Sequence, residues 1–268
     1  MKNLLLFFSL IFLIPIGFGQ MILNQDGEAF TTDPFFNSKF IQNNKIKTIN
    51  GTYSFKKNKD LIRKVPGSYT YKFNKKGRLN SCINIRWNGK TLDTTLQYYE
   101  YNQLGAIISI KKSENNGVTL QEFHRDSLNR IISTSNYRVI LDDQGEVVKK
   151  NEMNTETMRY SNEKRTTYNS YNLPYLISYD NYNEDGYKTS SIDKLKMGGT
   201  IYKKEYDYND KGLLISIDTF YDKHLKPVEE LKFKYDNFGN LMERHEFKQG
   251  VFTKDFQVIF DTKTGLLH

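Results

Sequence analysis

From Tyr69 onward the chain alternates. Stretches such as Tyr69-Thr70-Tyr71-Lys72-Phe73, Tyr206-Asp207-Tyr208 and Phe233-Lys234-Tyr235 set aromatic against polar residues at every second position. A period of two sends successive side chains to opposite faces of a strand, so these segments are predicted to be strands with rings on one face and charges on the other. Tyr, Phe, Thr and Ile also suit a pleated surface. The five prolines of the chain leave the alternation largely uninterrupted.

A second pattern punctuates the first. It runs aromatic, Asn or Asp, two variable residues, Gly, one variable residue, aliphatic. Copies start at Phe73, Tyr101, Tyr208 and Tyr235, with glycines at Gly77, Gly105, Gly212 and Gly239. Leu141 to Val147, around Gly145, lacks the aromatic, and Tyr182 to Gly186 lacks the aliphatic. Asn replaces Gly at Asn129 and Asn172, and Phe260 to Leu266 carries one extra residue. Asn and Asp bond their own backbone two residues on, and Gly takes the positive φ that closes a tight turn, with Asn next best. Gly77 to Gly105 is 28 residues, Gly145 to Asn172 27, Gly186 to Gly212 26 and Gly212 to Gly239 27. Weaker turn signals sit near the halfway points at Asn88-Gly89, Asn116-Gly117, Gly198-Gly199 and Gln249-Gly250.

A turn about every 13 residues makes each full repeat a pair of strands. Short turns make consecutive strands antiparallel neighbours. The expected fold is therefore all-β: an antiparallel meander of repeated hairpins, about twelve to sixteen strands, extended, coiled or folded into two layers. Ahead of it, Asp33-Pro34 followed by Phe35, Phe36, Phe40 and Ile41 predicts a short helix with Pro at its first position, placed to cover the first sheet edge. Lys45 to Lys57 reads as a strand and Asn58-Lys59-Asp60 as a turn. Residues 20–68 hold this helix and the first strands, and residues 69–268 the repeat, as one continuous domain with no Pro-, Ser- or Gly-rich linker.

The aromatic–Asn/Asp–x–x–Gly–x–aliphatic unit resembles the tyrosine–aspartate (YD) repeat of the RHS repeat proteins over roughly residues 69 to 266. The period is longer than that family's, and some copies lack the Gly or the aromatic. Large RHS proteins wrap a β-sheet shell around a cargo; this chain is too short for a shell and carries no cargo or self-cleaving segment. The resemblance implies an all-β, extracytoplasmic repeat and little about activity.

Residues 1–19 have the layout of a secretory signal peptide. Met1-Lys2-Asn3 is basic, Leu4 to Ile16 apolar, and Gly17 and Gly19 precede a cut after Gly19. The apolar run is short for a membrane span. No transmembrane segment is expected in the mature chain, and a secreted, periplasmic or cell-surface location is. The formal charge of +8, or +7 without Lys2, is spread along the chain, as on the wet face of a sheet. An anionic glycan, lipid headgroups or another envelope protein are the partners it suits; nucleic acid is not expected in that compartment. Cys82 is the single cysteine and reads as a buried strand position.

Catalytic and metal signatures are scarce. His124, His224, His245 and His268 form no metal-binding pair, and no nucleophile elbow, phosphate loop or dinucleotide fingerprint occurs. A calcium loop with Gly186 at its sixth position would place Ile192 at the twelfth, where a bidentate Glu is required. Glu229-Glu230 and Asp142-Asp143 point to opposite faces of a strand and converge on nothing. No catalytic residue, cofactor or metal is therefore assigned. The candidate contacts are tyrosines, Tyr98, Tyr99 and Tyr101, and Tyr202, Tyr206 and Tyr208, as a strip that stacks on sugar rings or peptide; the alternative is that they pack the inner face. The expected function is a non-enzymatic structural or binding module. Two rival readings are a polysaccharide hydrolase or lyase on a β-repeat, recognisable by converging titratable groups, and an outer-membrane barrel, which the frequent Lys and Glu oppose.

Overall fold

The structure is a computed structural model that describes residues 36–55, 61–162, 164–221, 224–237 and 239–257. A helix, α1 (Ser38–Asn43), precedes sixteen strands. These are β1 (Thr48–Phe55), β2 (Arg63–Phe73), β3 (Leu79–Trp87), β4 (Leu92–Tyr101), β5 (Ile107–Glu114), β6 (Gly117–Arg125), β7 (Ile131–Leu141) and β8 (Val147–Ser161). They continue as β9 (Lys164–Tyr168), β10 (Pro174–Tyr182), β11 (Lys188–Leu195), β12 (Thr200–Tyr208), β13 (Leu214–Tyr221), β14 (Glu229–Tyr235), β15 (Leu241–Lys248) and β16 (Val251–Gln257). Every strand pairs antiparallel with its neighbours in sequence, giving one open sheet in which β1 and β16 do not meet. The expected meander is the observed one, as a single sheet that does not close.

Among the described residues the repeat builds one turn eight times; the copy at Phe260 to Leu266 lies outside them. At Asn74 the backbone N–H donates to the Arg78 carbonyl and the Gly77 N–H returns to the Asn74 carbonyl, both at 2.9 Å. The Asn74 side-chain oxygen accepts from the N–H groups of Lys76 and Arg78. The same backbone pair recurs at Asn102, Asp126, Asp142, Asn169, Asn183, Asn209 and Asp236. The fifth residue is left-handed each time: φ is 73° to 94° at Gly77, Gly105, Gly145, Gly186, Gly212 and Gly239, and 63° and 58° at Asn129 and Asn172. This is a tight turn closed by a one-residue bulge, and the register shifts beside it, as between Lys72 and Phe73. The bulge puts Leu79 and Cys82 on one face although three positions separate them.

Because strand direction reverses each time, every second connection lies at the same end of the sheet. Six of the eight turns, at Asn74, Asn102, Asp126, Asn183, Asn209 and Asp236, share one end, the front rim. Those at Asp142 and Asn169 fall at the opposite end, the back rim, with Asn88-Gly89, Asn116-Gly117, Gly198-Gly199 and Gln249-Gly250.

One face, the inner one, is apolar at both ends of the sheet. Phe73, Leu79, Cys82 and Tyr99 are buried with Ile41 of α1 over β2–β5. Tyr206, Leu214, Ile217, Phe233 and Leu241 form a second cluster over β12–β15. Fully burying Ile41, Leu214 or Leu241 stabilises by about 2 kcal/mol each. Between the clusters the same face is polar, with Thr167, Ser178 and Asp193 buried.

Two features of the amino-terminal helix differ from expectation. α1 starts at Ser38 under an Asn37 cap, whose side-chain oxygen accepts from Phe40 N–H at 3.0 Å; Asp33, Pro34 and Phe35 lie outside the described residues. It covers the inner face, not the sheet edge. Phe36 meets Tyr71 and Phe73 edge-on at 5.2 and 5.0 Å, and the helix backbone at Ser38 and Gln42 lies directly over Gly77.

Candidate functional site

Strand register assembles a polar row across the middle of the inner face. Arg165 on β9 faces Ser178 on β10, which faces Asp193 on β11, which faces Tyr202 on β12, which faces Tyr221 on β13. Arg165 donates to the Ser178 hydroxyl at 3.1 Å. The Tyr202 hydroxyl bonds to the Asp193 carboxylate, and burial, with that carboxylate second, pushes its pKa well above the ordinary phenol range. Tyr175 donates to Glu156 at 2.5 Å; burial first and Glu156 second raise its pKa to about 12. These groups therefore keep their protons at neutral pH and serve as donors.

Beside this row lies an open groove of about 380 Å³ over β12–β15. Tyr202, Thr219, Tyr221 and Leu231 form its floor, with Lys204, Glu229, Arg244, Glu246 and Lys248 around them. Arg244 is only 6 % exposed and holds Glu246 at 2.6 Å. Glu246 also faces Lys254 at 3.7 Å, and Glu229 faces Lys248 at 3.6 Å. Glu230, the third carboxylate of the lining, pairs with Lys232 at 3.1 Å, so all three are ion-paired. The Lys204 ammonium stands 5.5 Å from the Tyr202 ring centre, a favourable position for a cation.

The predicted tyrosines separate. Tyr99 and Tyr206 are core residues, 5 % and 8 % exposed. Tyr101 is half-buried, its hydroxyl bonded to the Leu79 carbonyl, with its pKa pushed up to about 12 by burial. Tyr208 is half-buried and packs against Tyr187, ring centres 5.0 Å apart. Tyr98 points to the outer face beneath Lys111. Neither trio is an exposed strip, because alternation and the core claim its central member. Tyr202 reaches the groove. Tyr221, Arg165, Asp193 and Arg244 were not singled out from sequence; Arg244 carries a signal, since it stands three residues after Leu241, where Cys82, Ile110 and Ile217 follow Leu79, Ile107 and Leu214.

Cys82 is buried, as expected. His124 is an exposed strand residue, and His224 lies in the connection after β13. His245 contacts Glu243 at 3.1 Å and Asp255 at 3.3 Å; His268 lies outside the described residues. Among the described residues no three His, Cys, Asp or Glu side chains group as metal ligands, and no helix is long and apolar enough to cross a membrane.

No protein family matches the sequence, and no curated protein does. Solved structures match only at low similarity. A porin-like protein from Bacteroides uniformis is 12 % identical, with a TM-score of 0.43, over 78 % of this chain and 94 % of that one. TcdB2-TccC3 without its hypervariable C-terminal region is 14 % identical, with a TM-score of 0.25, over 79 % of this chain and 12 % of that one. The chain thus spans only a small part of the latter.

Proposed function

We propose that this protein is an exported, non-enzymatic β-repeat module whose inner face holds an extended anionic glycan of the cell envelope. The observation that carries the reading is the open groove in which the Tyr202 and Tyr221 rings lie beside Lys204, Arg244 and Lys248. Aromatic rings stack on the apolar faces of sugars, and cations at the margin pair with carboxylate or phosphate substituents. The net charge of +8 favours the same class of ligand. The turn chemistry supports the YD-repeat resemblance, and the signal-like residues 1–19 support export.

A second reading, a glycan hydrolase or lyase, rests on Glu229 and Glu246 lining one groove, since glycoside hydrolysis uses two carboxylates. Their partners Lys248 and Arg244 favour binding over proton transfer. A binding screen against envelope glycans and peptidoglycan fragments, with products analysed after incubation, separates the readings. Tyr202→Ala with Tyr221→Ala is expected to abolish a salt-sensitive interaction without any cleavage. Binding indifferent to that double substitution would overturn the groove assignment, and released oligosaccharide would establish the enzyme.

A further inference from the structure

In the carboxyl-terminal half of the meander the two rims differ chemically. The front-rim turns there carry carboxylates at Glu184, Asp185, Asp210 and Asp236. On the back rim between β9 and β14, the connections 169–173 and 196–199 have none, and the connection from β13 to β14 sets Asp222 against Lys223 and Lys226. Their tips are apolar instead: Tyr171 is 82 % exposed, Met197 100 % and Leu225 97 %. Lys196 and Lys226 are exposed beside Met197 and Leu225. Tips two strands apart are about 10 Å from one another.

Turn chemistry does not ask for these apolar side chains. At 195–199 the backbone is closed by Leu195 and the two glycines, with φ of 114° at Gly198 and 82° at Gly199, and the Met197 side chain projects into solvent. Clustered exposed apolar side chains mark an interaction surface. Here they stand in a row where cations outnumber acids, with Lys196, Lys223 and Lys226 against Asp222. That combination matches a partner of uniform negative charge with an apolar layer just beneath it.

We propose that this rim docks on an anionic lipid bilayer. Tyr171, Met197 and Leu225 enter the interfacial layer while Lys196 and Lys226 pair with headgroup phosphates. The lysine stems lie against the apolar boundary with their ammonium groups in the headgroup region. The inner-face groove begins beside this edge, at Tyr221 and Glu229 on either side of the β13–β14 connection.

The test is co-sedimentation of the purified protein with phosphatidylcholine vesicles, with and without phosphatidylglycerol. Binding is expected only with the anionic lipid and should weaken as salt rises. Lys196→Glu with Lys226→Glu, and separately Met197→Glu with Leu225→Glu, are each expected to bind about tenfold more weakly or worse. Their exposure lets both variants fold, which an unchanged circular dichroism spectrum would verify. No sedimentation with anionic vesicles, or sedimentation that both variants retain, would overturn the proposal. So would lipid-free self-association that the tip substitutions abolish, since the rim would then join copies of this chain.

Discussion

Tyr101 on β4 donates its hydroxyl to the Leu79 carbonyl on β3 at 2.7 Å, and so ties one hairpin to the hairpin before it. Tyr235 does the same to Leu214 at 2.6 Å. Arg125 holds the equivalent place in its repeat and reaches the Ile107 carbonyl through Nε at 3.1 Å. Tyr160 reaches the Ile131 carbonyl at 2.8 Å, although its own connection lacks the turn motif. Where the residue ahead of the turn carries a donor at its tip, it can reach back to the preceding hairpin, so Arg can stand in for Tyr, while Phe73 and Leu141 fill the same place without a donor.

Tyr101→Phe keeps the ring and removes the donor. It is expected to cost about 1 kcal/mol, the usual net worth of one such bond. Tyr235→Phe should cost a similar amount, whereas Arg125→Tyr should be tolerated. Urea midpoints measure all three. Faster amide exchange confined to the front rim of the affected hairpins would locate the effect.

Gly77 and Gly145 have nearly the same backbone, with φ of 74° and 82°, and different surroundings. A Cβ at Gly145 meets nothing, while one at Gly77 runs into the backbone of Ser38 and Gln42. Gly145→Ala is therefore expected to cost only the left-handed strain, about 1 kcal/mol. Gly77→Ala should also displace α1 and expose Ile41, adding about 2 kcal/mol. If so, Ile41→Ala will cost much less in the Gly77→Ala background than alone, because the helix has already left. Additive losses would show that the helix stays docked.

The turns were legible in the sequence because Asn74, Gly77 and their counterparts solve a local problem within five residues. The strand count followed from the same spacing. Which rim a turn occupies is not local. Asp126 and Asp142 enclose a single strand, β7, so the second turn crosses to the far end; the 16-residue step from Asn129 to Gly145 marks the crossing, whereas the 27 residues from Gly145 to Asn172 join two turns of one rim. The inner-face site was least legible. Arg165, Ser178, Asp193 and Tyr202 become neighbours only through the register of four strands. Simple alternation also misplaces residues beside each bulge, where Leu79 and Cys82 share a face.

Asp218 on β13 faces Glu205 on β12 and Glu230 on β14. Burial, then the negative charges of Glu230 and Asp207, raise its carboxyl above the ordinary value of 3.8. The folded state thus holds this proton more tightly than the unfolded chain. Its contribution is most favourable below pH 3.8 and is lost as pH rises through the higher folded value. Asp218→Asn removes the charge that costs stability at neutral pH. The variant should have the higher urea midpoint at about pH 7 and no advantage at about pH 3. An advantage that persisted in acid would assign the effect to hydrogen bonding.

Arg244 breaks the repeat where the others place Cys82, Ile110 and Ile217. Its guanidinium is buried, and Glu246 sits 2.6 Å away on the same strand. Removing one member of a buried pair strands the other, whereas replacing both by packed apolar groups is often neutral or stabilising. Arg244→Ile alone is therefore expected to cost about 2 kcal/mol, less than a fully enclosed pair because Lys254 remains 3.7 Å from Glu246. Arg244→Ile with Glu246→Val should match or exceed the parent in urea midpoint, since the side chain at 244 then continues the apolar row of Leu214, Ile217 and Leu241. The same double variant removes a cation from the groove and should weaken glycan binding. Gained stability with lost binding would show the pair is kept for the ligand; lost stability with unchanged binding would show it is kept for the sheet.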